Sequence, residues 1–234
     1  MMTALILFLS AFVFGAVFIH LRIGNKPYFK YFLSFSGAFL FGLTVLHFIP
    51  ELFQHFNPLY GIFILLGFSF QIILEFLTKG LDHGHFHFHH GKPQLGFAAI
   101  IGLLFHSFFE ASPLSMHGSH DHFGSFLLWG LVLHKVPVSI FLGTVLSQYF
   151  KEKWKAYLIL LLFAIMAPLG LYLGTEIAAL ASIQDYFLAF VIGIFLYIST
   201  TILYEVNENH SFNTFKFIAI IIGFSVAALS SLLA

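Results

Sequence analysis

The sequence predicts an all-α polytopic membrane protein with eight transmembrane helices, and three observations lead to this fold class. Of the 234 residues, 59% are hydrophobic and 9% are charged, whereas roughly 25% of the residues in a typical soluble domain are charged. Eight segments each contain about 20 mostly apolar residues, the length that crosses a bilayer as a helix. These segments also lack the alternation of polar and apolar residues that membrane β-strands have.

The eight predicted spans are apolar along their whole length and are separated by short connections. Their predicted bounds are 3–21, 31–50, 59–78, 95–114, 124–148, 156–176, 184–204 and 214–233. The first span lacks the basic start and the small-residue cleavage site of a signal peptide, so we expect it to be a retained helix. Because no soluble segment interrupts the pattern, we expect residues 1–234 to form a single transmembrane domain in a lipid bilayer.

The basic residues predict how the helices are oriented. Eight of the ten Lys and Arg residues lie in the connections between spans 1 and 2, 3 and 4, and 5 and 6, and Lys216 lies in the first turn of span 8, next to the connection between spans 7 and 8. The other connections contain none. Lys and Arg are enriched in cytoplasmic loops, so both termini are expected outside the cytoplasm. The short loops suggest a multi-pass protein of a bacterial inner membrane.

The composition excludes several classes of function. Lys+Arg and Asp+Glu both number 10, so the basic surplus that binds nucleic acid is absent and no nucleic-acid partner is expected. Cysteine is absent as well, which excludes disulfides and thiolate metal sites. Because the sequence has no glycine-rich phosphate loop, we expect no organic cofactor. The 14 histidines instead indicate metal chemistry with nitrogen and oxygen ligands.

The fourth predicted span contains the strongest candidate site. An ionisable group at membrane depth costs from about 2.5 to over 10 kcal/mol unless it is paired or binds something. His106 and Glu110 are four residues apart and therefore share one helix face. Such an imidazole and carboxylate can hold a divalent cation, with Ser107 next to this face. The alternative is an internal hydrogen bond between His106 and Glu110 that satisfies both side chains.

The fifth predicted span contains a second candidate group. His134 and Lys135 are adjacent, and Pro137 has no N–H to donate to the carbonyl of Leu133. A carbonyl oxygen is therefore predicted to be free beside His134. Lys135 is the most costly residue of the chain at membrane depth. It either pairs with Glu110 or acts as a built-in cation beside a metal ion.

Further polar residues lie near the ends of the spans. His47, Glu51 and His55 recur at four-residue spacing toward the outer end of the second span, and Glu205 follows the seventh span at the inner side. These four residues could form an entry and exit relay for an ion. They could equally cap the ends of their helices.

Two loops that flank the fourth span are rich in histidine. The cytoplasmic loop at 79–93 contains His83, His85, His87, His89 and His90, and the outer loop contains His117, His120 and His122. Histidine tracts of this kind bind zinc-class metals. We expect these residues to handle metal, the alternative being neutral sequence drift.

Several short motifs together resemble the ZIP (Zrt/Irt-like) metal transporters over nearly the whole chain. The motifs are HFIPE at 47–51, HSFFEA at 106–111, HKVP at 134–137, APLG at 167–170 and GIFLYIS at 193–199. The resemblance implies a divalent metal site with His106, Glu110 and His134 as ligands. It also implies uptake of metal into the cytoplasm, a homodimer, and movement of spans 1, 4, 5 and 6 against spans 2, 3, 7 and 8.

The chain departs from this family at the positions of a second, adjacent metal site. Many members have an acidic or amide residue at Lys135 and a carboxylate at Val138, and often another at Ala167. We therefore predict a single-metal site in which Lys135 stands in for the second cation. Water or Ser107 would complete the coordination by His106, Glu110 and His134. This ligand set suits zinc, and also iron(II), manganese, cobalt or cadmium.

The predicted function is accordingly transport of a divalent transition metal, zinc first, and not enzymatic catalysis. An intramembrane metal-dependent hydrolase is the main alternative, because two His and a carboxylate with an open position also suit hydrolysis. The sequence has no HExxH motif and no nucleophile elbow to support that alternative. The same residues would also suit a metal sensor or a metal exporter.

Overall fold

The apolar segments fold as helices in the computed structural model, which describes residues 2–21, 28–78, 88–89, 92–93, 97–115, 122–179, 181–204 and 214–233. The described residues form nine α-helices: α1 Met2–Leu21, α2 Tyr28–Leu43, α3 Ile49–Leu52, α4 Pro58–Thr78, α5 Phe97–Ala111, α6 His122–Tyr149, α7 Lys153–Ala178, α8 Ala181–Tyr204 and α9 Thr214–Leu233. These helices cover the predicted spans, with ends that differ by a few residues.

The helices are long and apolar enough to make the chain a multi-pass membrane protein. Within the described segments, seven stretches of at least 18 residues can cross a membrane, and the helix at Ile100–Ser115 is apolar but shorter. This shorter helix corresponds to the predicted fourth span. The polytopic helical class is therefore supported, whereas the count of eight spans and the orientation of the termini stay predictions.

Two local departures from α-helix interrupt the spans. Between α2 and α3 the chain forms a π-helical turn at Thr44–Phe48, and π turns of this kind occur often at functional sites. Pro50 lies in the first turn of α3, where its missing N–H is tolerated. After α5, the residues Ser112–Ser115 form a 3-10 turn around Pro113.

A short hairpin lies in the predicted cytoplasmic loop. Strand β1, Phe88–His89, pairs antiparallel with strand β2, Lys92–Pro93. The prediction of an all-α chain did not include this hairpin. Two residues per strand bury too little to stabilise a hairpin alone, so it does not change the fold class.

The spanning helices pack most closely within two groups. Helices α1, α5, α6 and α7 form the first group, and α2, α4, α8 and α9 form the second. Glycines allow the closest crossings, because a Cβ added at Gly143 of α6 would collide with the backbone of Gly15 in α1. A Cβ at Gly67 of α4 would likewise collide with Phe190 of α8. This grouping agrees with the division into spans that the resemblance implies.

Phenylalanine rings fill the boundary between the two groups where α5 faces α4 and α8. The ring of Phe109 lies 5.4 Å from Phe70, 5.7 Å from Phe190 and 6.3 Å from Phe187, measured between centroids. Phe109 directly precedes Glu110 on α5. The first candidate ligand helix therefore meets the second group through aromatic contacts.

Candidate metal centre

The predicted ligands of the fourth span lie together in the interior of the first helix group. His106 and Glu110 occupy successive turns of α5, and each is about 1% exposed. The Nε2 atom of His106 lies 3.7 Å from Oε2 of Glu110. This separation is longer than a hydrogen bond, so this pair of atoms does not form the internal His–Glu bond considered as the alternative.

His134 on α6 completes a group of three potential metal ligands. Its ring centroid lies 5.9 Å from that of His106, and it too is about 1% exposed. One ligand atom from each of His106, Glu110 and His134 lies within 4.8 Å of the others. In the part of the chain that the structure describes, this is the one group of three or more His, Cys, Asp or Glu residues that meets this distance.

Several polar atoms of this group have no hydrogen-bond partner among the described residues. They are both ring nitrogens of His134 and the Oε1 atom of Glu110. Leaving a buried polar group without a partner costs roughly 1–3 kcal/mol, and native interiors contain few such groups. Two imidazole nitrogens and a carboxylate oxygen match the ligands that zinc takes in proteins, so these residues fit a divalent metal ion.

Lys135 forms an ion pair with the carboxylate of this group. Its Nζ atom donates a hydrogen bond to Oε2 of Glu110 at 3.1 Å. The ammonium also lies 5.2 Å from the ring centroid of Phe163, within the range of a cation–π contact. Of the two alternatives for Lys135, the structure therefore shows the pairing with Glu110, and a role beside a metal ion stays a prediction. Because Lys135 uses Oε2, the other carboxylate oxygen of Glu110 remains for a metal ion.

Ser107 connects Lys135 to the backbone of α7. Its Oγ atom accepts a hydrogen bond from Nζ of Lys135 at 3.0 Å and donates one to the carbonyl oxygen of Phe163 at 3.1 Å. In this arrangement the hydroxyl positions the ammonium. The role of Ser107 as a fourth metal ligand stays a prediction. Neither contact of Phe163 was foreseen, because no motif in the sequence marks that residue.

Helix α6 continues through the proline that follows His134. Pro137 lies inside α6, which runs without interruption from His122 to Tyr149. Its missing N–H removes the usual hydrogen bond to the carbonyl of Leu133. One turn beyond His134, Val138 lines a cavity of about 10 Å³ together with Leu103, Phe141, Leu142 and Val145. All of the residues that line this cavity are apolar.

The predicted relay residues do not belong to the three-ligand group. His47 lies half-buried in the π-helical turn, while Glu51 and His55 are exposed. Their proposed relay role stays a prediction. Glu205 lies outside the described residues.

Most of the histidines in the two loops also lie outside the described residues. His83, His85, His87, His90, His117 and His120 all lie outside the described residues. His89 belongs to strand β1, and His122 is the first residue of α6. Metal binding by these loops therefore stays a prediction.

A second polar cluster, which the sequence analysis missed, joins α4 to α8 near one end of both helices. Tyr60 donates a hydrogen bond to Oδ2 of Asp185 at 2.9 Å, and Nδ2 of Asn57 donates one to the hydroxyl of Tyr186 at 3.1 Å. These residues are far apart in sequence and share no motif. Their bonds tie two helices of the second group together.

Comparison of the chain with models of protein families gives a match. A family model described as "ZIP Zinc transporter" matches residues 84–231, which is more than half of the chain and includes α5 to α8. The matched range contains all three residues of the buried ligand group. No curated protein matches the chain.

Proposed function

Because this chain belongs to the ZIP zinc transporter family, we propose that it carries zinc, or another divalent transition metal, into the cytoplasm through a mid-membrane centre on the fourth and fifth spans. Family membership and the apolar helices make it a multi-pass membrane protein that transports divalent metal. Membership in a family of transporters also favours transport over metal-dependent hydrolysis. The metal is the cargo of the protein and not a resident cofactor.

The observation that carries the proposal is the buried group of His106, Glu110 and His134. Their ligand atoms lie within 4.8 Å of one another, and intramembrane ionisable residues commonly mark an ion pathway. We propose that His106 and His134 each supply one nitrogen and that Glu110 supplies its Oε1 atom. Water or Ser107 completes the coordination. This set suits zinc best and admits iron(II), manganese, cobalt or cadmium.

Lys135 limits the centre to one metal ion in this proposal. Its ammonium contacts Oε2 of Glu110 and so takes the position of a second cation beside the carboxylate. The side chains of Val138 on α6 and Ala167 on α7 are buried and apolar, and neither can ligate a metal. Glu110 would then bridge one metal ion and one ammonium group.

We propose the route and the topology from the sequence. Metal enters from the outer side past His47, Glu51 and His55 and the outer-loop histidines, and it leaves past Glu205 toward the cytoplasmic loop at 79–93. Eight spans place both termini outside the cytoplasm, in a bacterial inner membrane, with two chains as a homodimer. The group of α1, α5, α6 and α7 moves as a unit against α2, α4, α8 and α9.

The test is zinc flux into sealed proteoliposomes that contain a fluorescent zinc indicator. We expect flux with the unmodified protein and none above protein-free vesicles with His106→Ala. Replacement of the exposed His20 of α1 by Ala is the matched control, because His20 lies outside the three-ligand group and outside the proposed route. We expect His20→Ala to retain most of the flux.

Absence of flux for zinc, iron(II), manganese and cadmium in both orientations of the protein would contradict the proposal. Flux that is confined to the outward direction would instead identify an exporter. Flux that persists in His106→Ala would leave transport intact and remove the proposed centre.

A further inference from the structure

The side chains of the metal centre carry no net charge before any metal binds. Glu110 contributes one negative charge and Lys135 one positive charge, and their atoms lie 3.1 Å apart. His106 and His134 must be neutral to act as ligands. The centre therefore contains one matched pair of opposite charges, both at membrane depth.

Besides the carboxylate of Glu110, two further groups hold the ammonium of Lys135 in place. The Ser107 hydroxyl accepts one of its hydrogen bonds, and Phe163 offers its ring at 5.2 Å. Ser107 is itself fixed to the backbone of α7 through the Phe163 carbonyl. All of these residues lie on α5, α6 and α7, which belong to one packing group. The ammonium therefore stays beside Glu110 when that group moves as a unit.

A carrier has to reset its centre after it releases its cargo. An acidic ligand without a partner would then cross low-dielectric surroundings as a bare charge, and an uncompensated buried charge costs several kcal/mol. A carrier with such a ligand has to take up another cation or a proton for the return step. In this protein the compensating charge is the ammonium of Lys135, which is part of the chain itself.

We propose that Lys135 is a built-in counter-ion that neutralises Glu110 during the return step, so that transport requires no counter-transported cation or proton. This inference rests on the proposed function and concerns the step that follows metal release. It makes two quantitative statements. Net uptake depends on Lys135 more than exchange of metal for metal does, and each metal ion moves two positive charges across the membrane.

The first experiment compares net zinc uptake with exchange of radioactive zinc across proteoliposomes that contain zinc on both sides. Exchange does not need the return of a metal-free centre, whereas net uptake does. We expect Lys135→Met to reduce net uptake by at least about tenfold, because one uncompensated buried charge is costly. Exchange should stay within about threefold of the unmodified protein.

Zinc affinity provides a third readout of the same variant. Removal of a positive charge beside the site should make zinc bind more tightly to Lys135→Met, by about tenfold or more. A structural role alone predicts the opposite, namely weaker binding together with loss of both fluxes. Lys155→Met is the matched control, because Lys155 pairs with Glu152 in exposed positions, and all three readouts should stay unchanged there.

Two outcomes for a folded Lys135→Met variant overturn the inference. One is net uptake equal to that of the unmodified protein. The other is an equal loss of net uptake and exchange. A failure of the proposed function is a separate result, because the unmodified protein would then show neither exchange nor net uptake.

The second experiment uses only the unmodified protein and so does not depend on the folding of a variant. The zinc gradient at which flux reverses is measured at membrane potentials set by potassium and valinomycin. If each zinc ion moves two charges, the flux should reverse at about a hundredfold zinc ratio when the membrane potential is about 60 mV. Exchange of each zinc ion for one proton would give about a tenfold zinc ratio at the same potential. Exchange for two protons would make the zinc ratio at reversal independent of the membrane potential. Either of these two results overturns the inference.

Discussion

The Nζ atom of Lys135 on α6 and the Oε2 atom of Glu110 on α5 lie 3.1 Å apart, and both side chains are almost completely shielded. Neither charge can be exposed to water in this arrangement. Loss of one partner therefore leaves the other as an unpaired buried charge, which is far more costly than loss of the pair as a whole.

The Lys135–Glu110 pair should show strong thermodynamic coupling. We expect Glu110→Gln and Lys135→Met, each alone, to lower the free energy of unfolding by about 3–5 kcal/mol, because each leaves one uncompensated buried charge. The double variant should recover most of this loss. Denaturation in detergent micelles would measure the double-mutant cycle. Additive losses would contradict the coupling. The control pair is Glu152 and Lys155, whose charged atoms lie 3.3 Å apart and whose side chains are about half exposed. We expect a coupling energy of less than about 1 kcal/mol for this pair.

Replacement of Ser107 by Ala should separate its two candidate roles. The variant loses the hydrogen bonds to Lys135 and to the Phe163 carbonyl, so we expect a loss of about 1–3 kcal/mol in unfolding free energy. Zinc affinity should fall less than in His134→Ala. Equal loss of affinity in the two variants would identify Ser107 as the fourth ligand. Ser225→Ala is the control, because the exposed Ser225 bonds only its own helix in the contacts described.

The centre should bind one zinc ion per chain. Because the ammonium of Lys135 contacts Oε2 of Glu110, we expect a stoichiometry of one once the loop histidines are removed. The protein to measure has residues 83–90 deleted and His117, His120 and His122 replaced by Ala. Equilibrium dialysis with elemental analysis gives the stoichiometry. Two ions per chain would rule out the single-metal centre.

The crossing of α1 and α6 should not tolerate a methyl group at Gly143. A Cβ there would collide with the backbone of Gly15, and overpacking of a buried contact costs about 1–3 kcal/mol. We expect Gly143→Ala to lower stability by that amount. Gly61→Ala is the matched control in α4, where a Cβ meets nothing within 4 Å, and it should be neutral or stabilising because Ala favours helix. Equal stability of the two variants would contradict the close crossing.

Removal of the Gln71 amide should stabilise the protein. Gln71 is fully buried in α4, and neither its amide nitrogen nor its amide oxygen has a hydrogen-bond partner among the described residues. We expect Gln71→Met to raise the free energy of unfolding by about 1–3 kcal/mol. Gln54→Met, at an exposed position, should change it by less than about 0.5 kcal/mol. A loss of stability in Gln71→Met would indicate that the amide binds a buried water molecule.

The parts of the structure that follow from local pattern could be predicted from the sequence. Apolar length defined the helices to within a few residues, because a bilayer requires a fixed helix length. The four-residue spacing of His106 and Glu110 placed them on one face, because the helical repeat fixes that relation. The cost of a charge in lipid made a pair with Glu110 one of two alternatives for Lys135, and the structure shows this contact.

The parts that depend on how helices cross could not be predicted. The Phe163 carbonyl accepts from Ser107 across 56 residues of sequence, and no spacing rule relates α5 to α7. The π-helical turn at Thr44–Phe48 was not predicted either. The bond between Tyr60 and Asp185 likewise arises only once α4 and α8 lie side by side.

The phenylalanine contacts around Phe109 have a mechanical consequence. Ring contacts between Phe109 and Phe70, Phe187 and Phe190 have no donor and acceptor that must stay aligned, and dispersion between rings changes gradually with displacement. The α4–α8 pair, in contrast, is fastened by directional bonds such as Tyr60 to Asp185. The boundary beside Glu110 should therefore resist separation of the two helix groups. It should offer little resistance when one group slides along the other.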